Sequence, residues 1–281
     1  MERIQVVVCG ILGKMGRESA KAVDGEKNMK IVGALDVNGL GEDSGLLVSN
    51  RANGIIIKDD METVLRESGA EVMVDFTNPH AVMKNIETAL RCGVVPVVGT
   101  SGIDEGDVEK IKGWTEDYKT AAVVVPNFAI GAVLMMKFAR LAARYFPDVE
   151  VIEQHHEKKV DAPSGTAIKT AQMIYQGQLE SARSRGSVSD GVFSPFPRPS
   201  EVEKVAGSRG GKLNGINLHS VRLPGRVAHQ EVIFGGMGQT LTIRHDSIDR
   251  TSFMPGLIMA INEAVKVKGL VYGIENLIDF G

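Results

Sequence analysis

Ile4-Gln5-Val6-Val7-Val8-Cys9-Gly10-Ile11-Leu12-Gly13-Lys14-Met15-Gly16 stands near the start of the chain. The first six residues are an apolar run rich in β-branched side chains, the composition of a strand buried in a parallel sheet. Three glycines follow at once, and a helical pattern covers residues 17–23. A second strand pattern, residues 30–35, ends in Asp36. Strand, glycine loop, helix, strand and acid occur in this order in dinucleotide-binding units. Glycines let the backbone turn tightly and approach a pyrophosphate, and the helix N-terminus faces the anion. Asp36 lies twenty residues after Gly16, where a carboxylate would bind the adenosine ribose hydroxyls. The spacing is G-x-x-G-x-x-G, not the commoner G-x-G-x-x-G. An ordinary strand–helix turn, with Asp36 as a strand-end cap, is the competing reading.

The alternation continues downstream. Residues 71–74 read as a strand ending at Asp75-Phe76-Thr77, 79–91 as a helix, and 94–98 as a strand ending at Gly99-Thr100-Ser101-Gly102. Residues 104–118 form a polar helix pattern, and 121–125 a strand that ends, through Val125, at Pro126-Asn127-Phe128. Ligands of an open parallel sheet lie outside the carboxyl ends of its strands. All three loops sit at such ends. Gly99, Thr100 and Ser101 offer amides and hydroxyls, Asn127 an amide, and Phe76 and Phe128 flat apolar surface for a base or nicotinamide ring. Singly each is turn chemistry; together they favour a nucleotide.

The pattern then changes. Residues 130–145 read as a long apolar helix bridging two domains, and 149–154 as a strand. Residues 176–213, rich in Ser, Arg, Gly and Pro, show no sustained periodicity and read as a lid, a binding loop or disorder. Three strand-like runs, 216–223, 227–235 and 239–245, are parted by the turn signals Pro224-Gly225 and 236–238. Sequential hairpins imply an antiparallel or mixed sheet. Arg250 precedes a last helix, 254–267, whose apolar side chains can pack back on the first domain. The expected fold class is α/β, a Rossmann-type doubly wound parallel sheet plus a second α+β domain with a mixed sheet.

The chemistry falls on Glu153-Gln154-His155-His156-Glu157-Lys158-Lys159-Val160-Asp161-Ala162-Pro163-Ser164-Gly165-Thr166-Ala167. His155 or His156 can move a proton near neutral pH without much tuning. Lys159 can neutralise a carboxylate or donate a proton. Ser164, Gly165 and Thr166 would open a helix over residues 167–175, where free N–H groups and the positive dipole end attract an anion. Pro163 is a residue type that starts such helices. The stretch reads as an acid next to an anion hole. A solvated loop before a capped helix is the plainer account of any single residue in it.

The chain has 281 residues, a length that suggests about two domains. Its 43% hydrophobic and 24% charged residues are ordinary for a globular protein. A net charge of −3 gives no pull toward nucleic acid or membrane surfaces. Cys9 and Cys92 lack metal-ligand spacing and read as buried thiols in a reducing compartment. None of the six histidines pairs with a cysteine at zinc spacing, so no metal is expected. No signal peptide is visible, and the most apolar segment, 121–136, falls short of the ~20 residues of a membrane span. The expectation is a cytoplasmic protein that binds neither nucleic acid nor membrane.

These motifs together resemble the dihydrodipicolinate reductase family, along nearly the whole chain. The resemblance rests on the glycine loop with Met15, on Asp75-Phe76-Thr77, Gly99-Thr100-Ser101 and Pro126-Asn127-Phe128, and above all on the stretch from Glu153 to Ala167. Ile216-Asn217-Leu218-His219-Ser220-Val221-Arg222-Leu223-Pro224-Gly225 and His229-Gln230-Glu231-Val232 also look like the family's second domain. The resemblance implies reduction of a cyclic dicarboxylate, 4-hydroxy-tetrahydrodipicolinate, by NADH or NADPH with loss of water, in lysine and diaminopimelate biosynthesis. It implies a dinucleotide-binding domain of residues 1–128 and 250–281. Residues 129–249 would bind substrate and build a homotetramer.

By position, His155 matches the family's proton donor/acceptor and Lys159 its catalytic proton donor. His156, Gly165 and Thr166 match substrate contacts, to which the Ser164 amide adds a further anion donor. The implied cofactor contacts are Gly10, Ile11, Leu12, Gly13, Lys14, Met15, Gly16, Asp36, Phe76, Thr77, Gly99, Thr100, Ser101, Val125, Pro126, Asn127, Phe128 and Arg250. Leu12 replaces a small residue common in the loop and should tighten the pyrophosphate approach. Val37-Asn38 supplies no arginine for a 2′-phosphate, while Lys14 and Arg17 can swing toward one. Use of both nucleotides, with a mild lean to NADH, is expected. Another NAD-dependent enzyme of amino-acid metabolism would not need the paired histidines before Pro-Ser-Gly-Thr. A non-enzymatic nucleotide sensor would be expected to lose His155 or Lys159. Fold alone does not choose among these.

Overall fold

In chain order the elements of the computed structural model begin with β1 (Ile4–Cys9), α1 (Lys14–Gly25), β2 (Met29–Leu35), α2 (Ser44–Ser49), β3 (Ile57–Lys58) and α3 (Met61–Glu67). They continue with β4 (Val72–Asp75), α4 (Val82–Arg91), β5 (Val95–Val98), α5 (Glu105–Asp117), β6 (Ala121–Val124) and α6 (Ile130–Ala142). Then come β7 (Asp148–His155), α7 (Gly165–Ser184), β8 (Gly211–Leu213), β9 (Ile216–Arg222), β10 (Ala228–Gly236) and β11 (Gln239–Ser247). The last are α8 (Met254–Ala264) and β12 (Gly269–Tyr272). The structure describes residues 3–184 and 202–278. The chain divides into two units, Met1–Ile130 with Arg250–Gly281, and Gly131–Asp249.

The first unit is a parallel sheet in the order β12-β6-β5-β4-β1-β2-β3. The order reverses at β1, which lies between β2 and β4. That is the switch point at which such sheets bind dinucleotides. Val6, Val7 and Val8 are fully buried, each burial contributing roughly 1.5–3 kcal/mol. Val7, Cys9, Leu35 and Met73 pack with Val64, Leu65 and Ala89 in one core. Ile86, Leu90, Val98, Ile111, Ala122 and Val124 form another. In α8, Leu257, Ala260, Ile261 and Ala264 are buried. A Cβ on Gly256 would stand 2.0 Å from the Phe128 carbonyl oxygen, so glycine permits that close approach.

The second unit is a mixed sheet in the order β11-β10-β7-β9-β8. β7 runs antiparallel to β10 and parallel to β9. Val151 and Glu153 on β7 and Gln230, Val232 and Phe234 on β10 are buried, the two-residue period of a sheet with one covered face. Gln230 Nε2 donates to Thr170 Oγ1 of α7 at 2.6 Å on that face.

The α/β expectation holds, and several boundaries differ. α1 begins at Lys14, directly after the glycine loop. α2, β3, α3 and β12 lie outside the sequence expectations, although Asp43 and Asp60 cap the two helices by accepting from Leu46 N and Thr63 N, both at 3.1 Å. α6 ends at Ala142 and α8 at Ala264, both short of expectation. α7 runs on to Ser184 because Gln178 Nε2 and Ser181 Oγ donate to the carbonyls of Pro147 and Arg144, both at 2.8 Å. Of the segment 176–213, residues 176–184 lie in α7 and 211–213 form β8. The lid or binding-loop reading of residues 185–201 falls outside the described residues.

Candidate active site

The carboxyl edge of the first sheet holds a cavity of about 720 Å³, ample for a cofactor-sized ligand. Gly10, Leu12, Gly13, Asp36, Phe76 and Thr77 line it, as does the face of α4 carrying Lys84, Asn85, Thr88 and Arg91. The glycines are there for steric reasons. Gly10 has φ +72°, and a Cβ on it would meet the Phe76 carbonyl oxygen at 2.5 Å. A Cβ on Gly16 would overlap the Gly10 oxygen at 1.9 Å. No side chain caps α1, so its leading N–H groups remain open to an anion. A bare-backbone loop before an uncapped helix, with a carboxylate on the next strand, fits a dinucleotide.

Asp36 is engaged within the protein itself. Its Oδ2 accepts from Leu12 N at 2.9 Å and its Oδ1 from Asn38 N at 3.0 Å, which fixes the two loops beside the cavity. Asp75, fully buried at the end of β4, organises the neighbouring loops. It accepts from Thr77 N (3.0 Å), Thr77 Oγ1 (2.8 Å), Thr100 Oγ1 (2.6 Å) and Asn85 Nδ2 (2.8 Å). Neither Asp75 nor Asn85 is among the expected site residues. An aspartate with threonine two places on is a recognisable Asx-turn signal, but the Asn85 and Thr100 contacts are tertiary.

Two expectations are corrected here. Arg17 cannot swing freely toward a 2′-phosphate, because its guanidinium donates to the carbonyls of Leu12 (3.0 Å) and Leu47. Phe128 offers no ring surface. It is buried, its ring centroid 5.7 Å from that of Phe76, and a Cβ on Gly99 would strike both rings. Ile11 is buried and faces a different cavity, with Lys21, Asp24 and Arg51. Lys14, Met15, Gly16, Gly99, Thr100, Ser101, Val125, Pro126, Asn127 and Arg250 do not line the larger cavity.

In the second unit β7 carries Glu153 and His155 two places apart, hence on one face. The His155 Nδ1 lies 2.5 Å from Glu153 Oε2. Arg222, opposite His155 in the β7–β9 register, grips the same carboxylate through Nη1 to Oε2 (2.9 Å) and Nη2 to Oε1 (2.7 Å). Ser164 N donates to Oε1 at 3.3 Å. Burial pushes the Glu153 carboxyl up, but hydrogen bonds from His155, Arg222 and Ser220 outweigh it and hold it at about 2. Lys159 Nζ binds both oxygens of Asp161, at 2.7 and 2.9 Å. His156 is exposed.

The start of α7 follows. α7 starts at Gly165, and Ser164 Oγ accepts from Ala167 N at 3.2 Å. Ser164 is therefore the cap. Pro163 precedes it, across a cis peptide from Ala162, and does not start the helix as expected. A Cβ on Gly165 would meet nothing within 4 Å, which leaves open space over the turn. Glu153 and Arg222 carry no role in the sequence motif alone. The alternation of Glu153 with His155 was readable; the partnership with a residue 69 positions away was not. Among the described residues no group of three or more His, Cys, Asp and Glu side chains could hold a metal ion, and no helix is long and apolar enough to cross a membrane.

A cavity beside a glycine loop in one unit and a histidine–carboxylate pair before a helix start in the other suit an NAD(P)-dependent oxidoreductase. The family models for the N- and C-termini of dihydrodipicolinate reductase match residues 4–128 and 131–278. The chain belongs to the dihydrodipicolinate reductase family. It is 48% identical over 282 residues to the 4-hydroxy-tetrahydrodipicolinate reductase of Desulfitobacterium hafniense, covering 99% of this chain and 100% of the relative. It is 47% identical over 277 residues to that of Syntrophomonas wolfei, covering 99% of each. The structure of dipicolinate-bound dihydrodipicolinate reductase from Paenisporosarcina sp. TG-14 superposes with a TM-score of 0.81 at 42% identity, covering 98% of this chain and 100% of that one.

Proposed function

We propose that this chain reduces 4-hydroxy-tetrahydrodipicolinate to tetrahydrodipicolinate, with loss of water, using NADH or NADPH, in lysine and diaminopimelate biosynthesis. The observation that carries the reading is the Glu153–His155 contact at 2.5 Å, next in sequence to Lys159 and the Ser164 turn. Family membership supports it, as does the dipicolinate, a cyclic dicarboxylate, in the Paenisporosarcina relative.

The nucleotide, when bound, supplies the hydride. The glycine loop, the open start of α1 and Asp36 would hold its pyrophosphate and ribose. Thr77 and Thr100, fixed by Asp75, would order the neighbouring loops. Reduction of a conjugated ring builds negative charge, and His155 is the acid that quenches it. Lys159 pairs with a substrate carboxylate and assists proton transfer. The N–H groups of Gly165 and Thr166, at the start of α7, receive the other carboxylate with His156. Arg250 would lie near cofactor and substrate.

Asp36 and the engaged Arg17 favour NADH mildly, while Lys14 and Lys84 remain to serve a phosphate. Residues 131–249 would also build a homotetramer through the second sheet. The free thiols of Cys9 and Cys92 suit a reducing compartment, the cytoplasm. The test is product identity. Protein, NADH and freshly made 4-hydroxy-tetrahydrodipicolinate should give tetrahydrodipicolinate by mass spectrometry, and an unchanged substrate pool would refute the assignment.

A further inference from the structure

Glu153 is 1% exposed, yet it sits on a sheet face whose buried neighbour on the strand is Val151. A buried carboxylate weakens a fold unless it is fully paired, and Glu153 is paired through both of its oxygens. Its hydrogen bonds suggest why one stands there. Oε2 faces the His155 ring and Arg222 Nη1, while Oε1 faces Ser164 N and Arg222 Nη2. A single carboxylate thus joins the proton-carrying ring to the cap of the anion turn, and Arg222 locks it in the plane that serves both. Arg222 is itself tied to the turn, since Nη2 also donates to the Asp161 carbonyl at 2.6 Å.

We propose that Glu153, clamped by Arg222, is the positioning residue of this site. It keeps the Nδ1 proton of His155 engaged, so that Nε2 is the nitrogen that exchanges a proton with substrate. This rests on the reading of His155 as the acid. The balance is simple: the charged ring gives its Nε2 proton to the substrate and becomes neutral with its proton on Nδ1, while Glu153 stays ionised throughout. The hydrogen bond at one imidazole nitrogen decides what the other can do. Glu153 on β7 and Arg222 on β9 face His155, and the turn that follows it carries His156, Glu157, Lys158, Lys159 and Asp161. β10 places the uncharged Ala228 opposite it.

The test is ¹⁵N NMR of the ring in the wild-type protein, with the His155 signals assigned by their loss in His155→Gln. The neutral ring should carry its proton on Nδ1. Glu153→Gln should lower kcat by roughly 10²-fold, leave the nucleotide KM unchanged, and alter the pH profile of kcat. Glu153→Asp should recover part of kcat and the pH profile. If Glu153→Gln does not fold, the wild-type ring spectrum decides alone. Loss of turnover in His155→Gln together with a neutral ring protonated on Nε2 would overturn the positioning role and spare the acid. Normal turnover in His155→Gln would overturn both.

Discussion

Lys159 and Asp161 form an ion pair in which Nζ meets both carboxylate oxygens, at 2.7 and 2.9 Å. The hydrogen bond from Lys159 holds the Asp161 carboxyl below the usual carboxylate range, so the pair persists through neutral pH. On the proposed reading, a substrate carboxylate has to take Lys159 from Asp161. Asp161→Asn should lower the substrate KM by up to about fivefold, the scale of an exposed pair worth about 0–1 kcal/mol. Steady-state kinetics at fixed nucleotide measures this. A higher KM would mean that Asp161 aims the amine and does not compete for it.

Acid stability should report Glu153. Its folded value of about 2 lies below the ordinary 4.5. A depressed carboxyl contributes stability above the unfolded value, and that stability is lost as pH falls through the folded one. The loss therefore falls between about pH 4.5 and 2, on the order of 3 kcal/mol. Urea unfolding across this range should show a shallower decline in Glu153→Gln than in wild type. Parallel curves would show that other carboxyls set acid stability.

The second sheet should assemble. Ile152 and Ile233 stand on the face opposite Val151 and Val232, bordered by the pairs Glu150–His219 (2.8 Å) and His229–Asp246 (2.6 Å). Such a face is commonly covered by a second sheet in a symmetric oligomer. Light scattering at micromolar concentration should give the mass of four chains. A monomer at that concentration would speak against it.

Nucleotide choice should depend on salt. On the proposed reading, Asp36 at the cavity is set against Lys84 on its wall and Lys14 at the start of α1. The ratio of kcat/KM for NADH over NADPH should exceed one by less than about tenfold, or ~1.4 kcal/mol. A strong NADPH preference that shrinks with salt would show that the lysines prevail over Asp36. A strong preference insensitive to salt would point to a contact other than these.

The parallel sheet and its glycine loop were legible because both are local. A β-branched run, a forced backbone turn and an acid at the next strand end are all written within 36 residues. The unforeseen α2 and α3 were also signalled locally, by Asp43 and Asp60, but they are short and weakly periodic. α7 was cut short because its apolar pattern fades after Ile174, whereas Gln178, Ser181 and the contact of Gly177 with the Arg140 carbonyl carry it on. His155, Lys159 and Ser164, the residues proposed for the site, stand in one contiguous motif. Arg222 and Asn85 do not, since each works through a buried carboxylate on another element.

The most direct measurement is nucleotide oxidation coupled to 4-hydroxy-tetrahydrodipicolinate made in place by dihydrodipicolinate synthase, with wild type and His155→Gln compared. Wild type should oxidise NADH and NADPH only when the synthase product is present. His155→Gln should bind nucleotide as wild type does and turn over roughly 10²–10⁴-fold more slowly. A folded wild-type protein that oxidises neither nucleotide, or a His155→Gln variant as fast as wild type, would contradict the account.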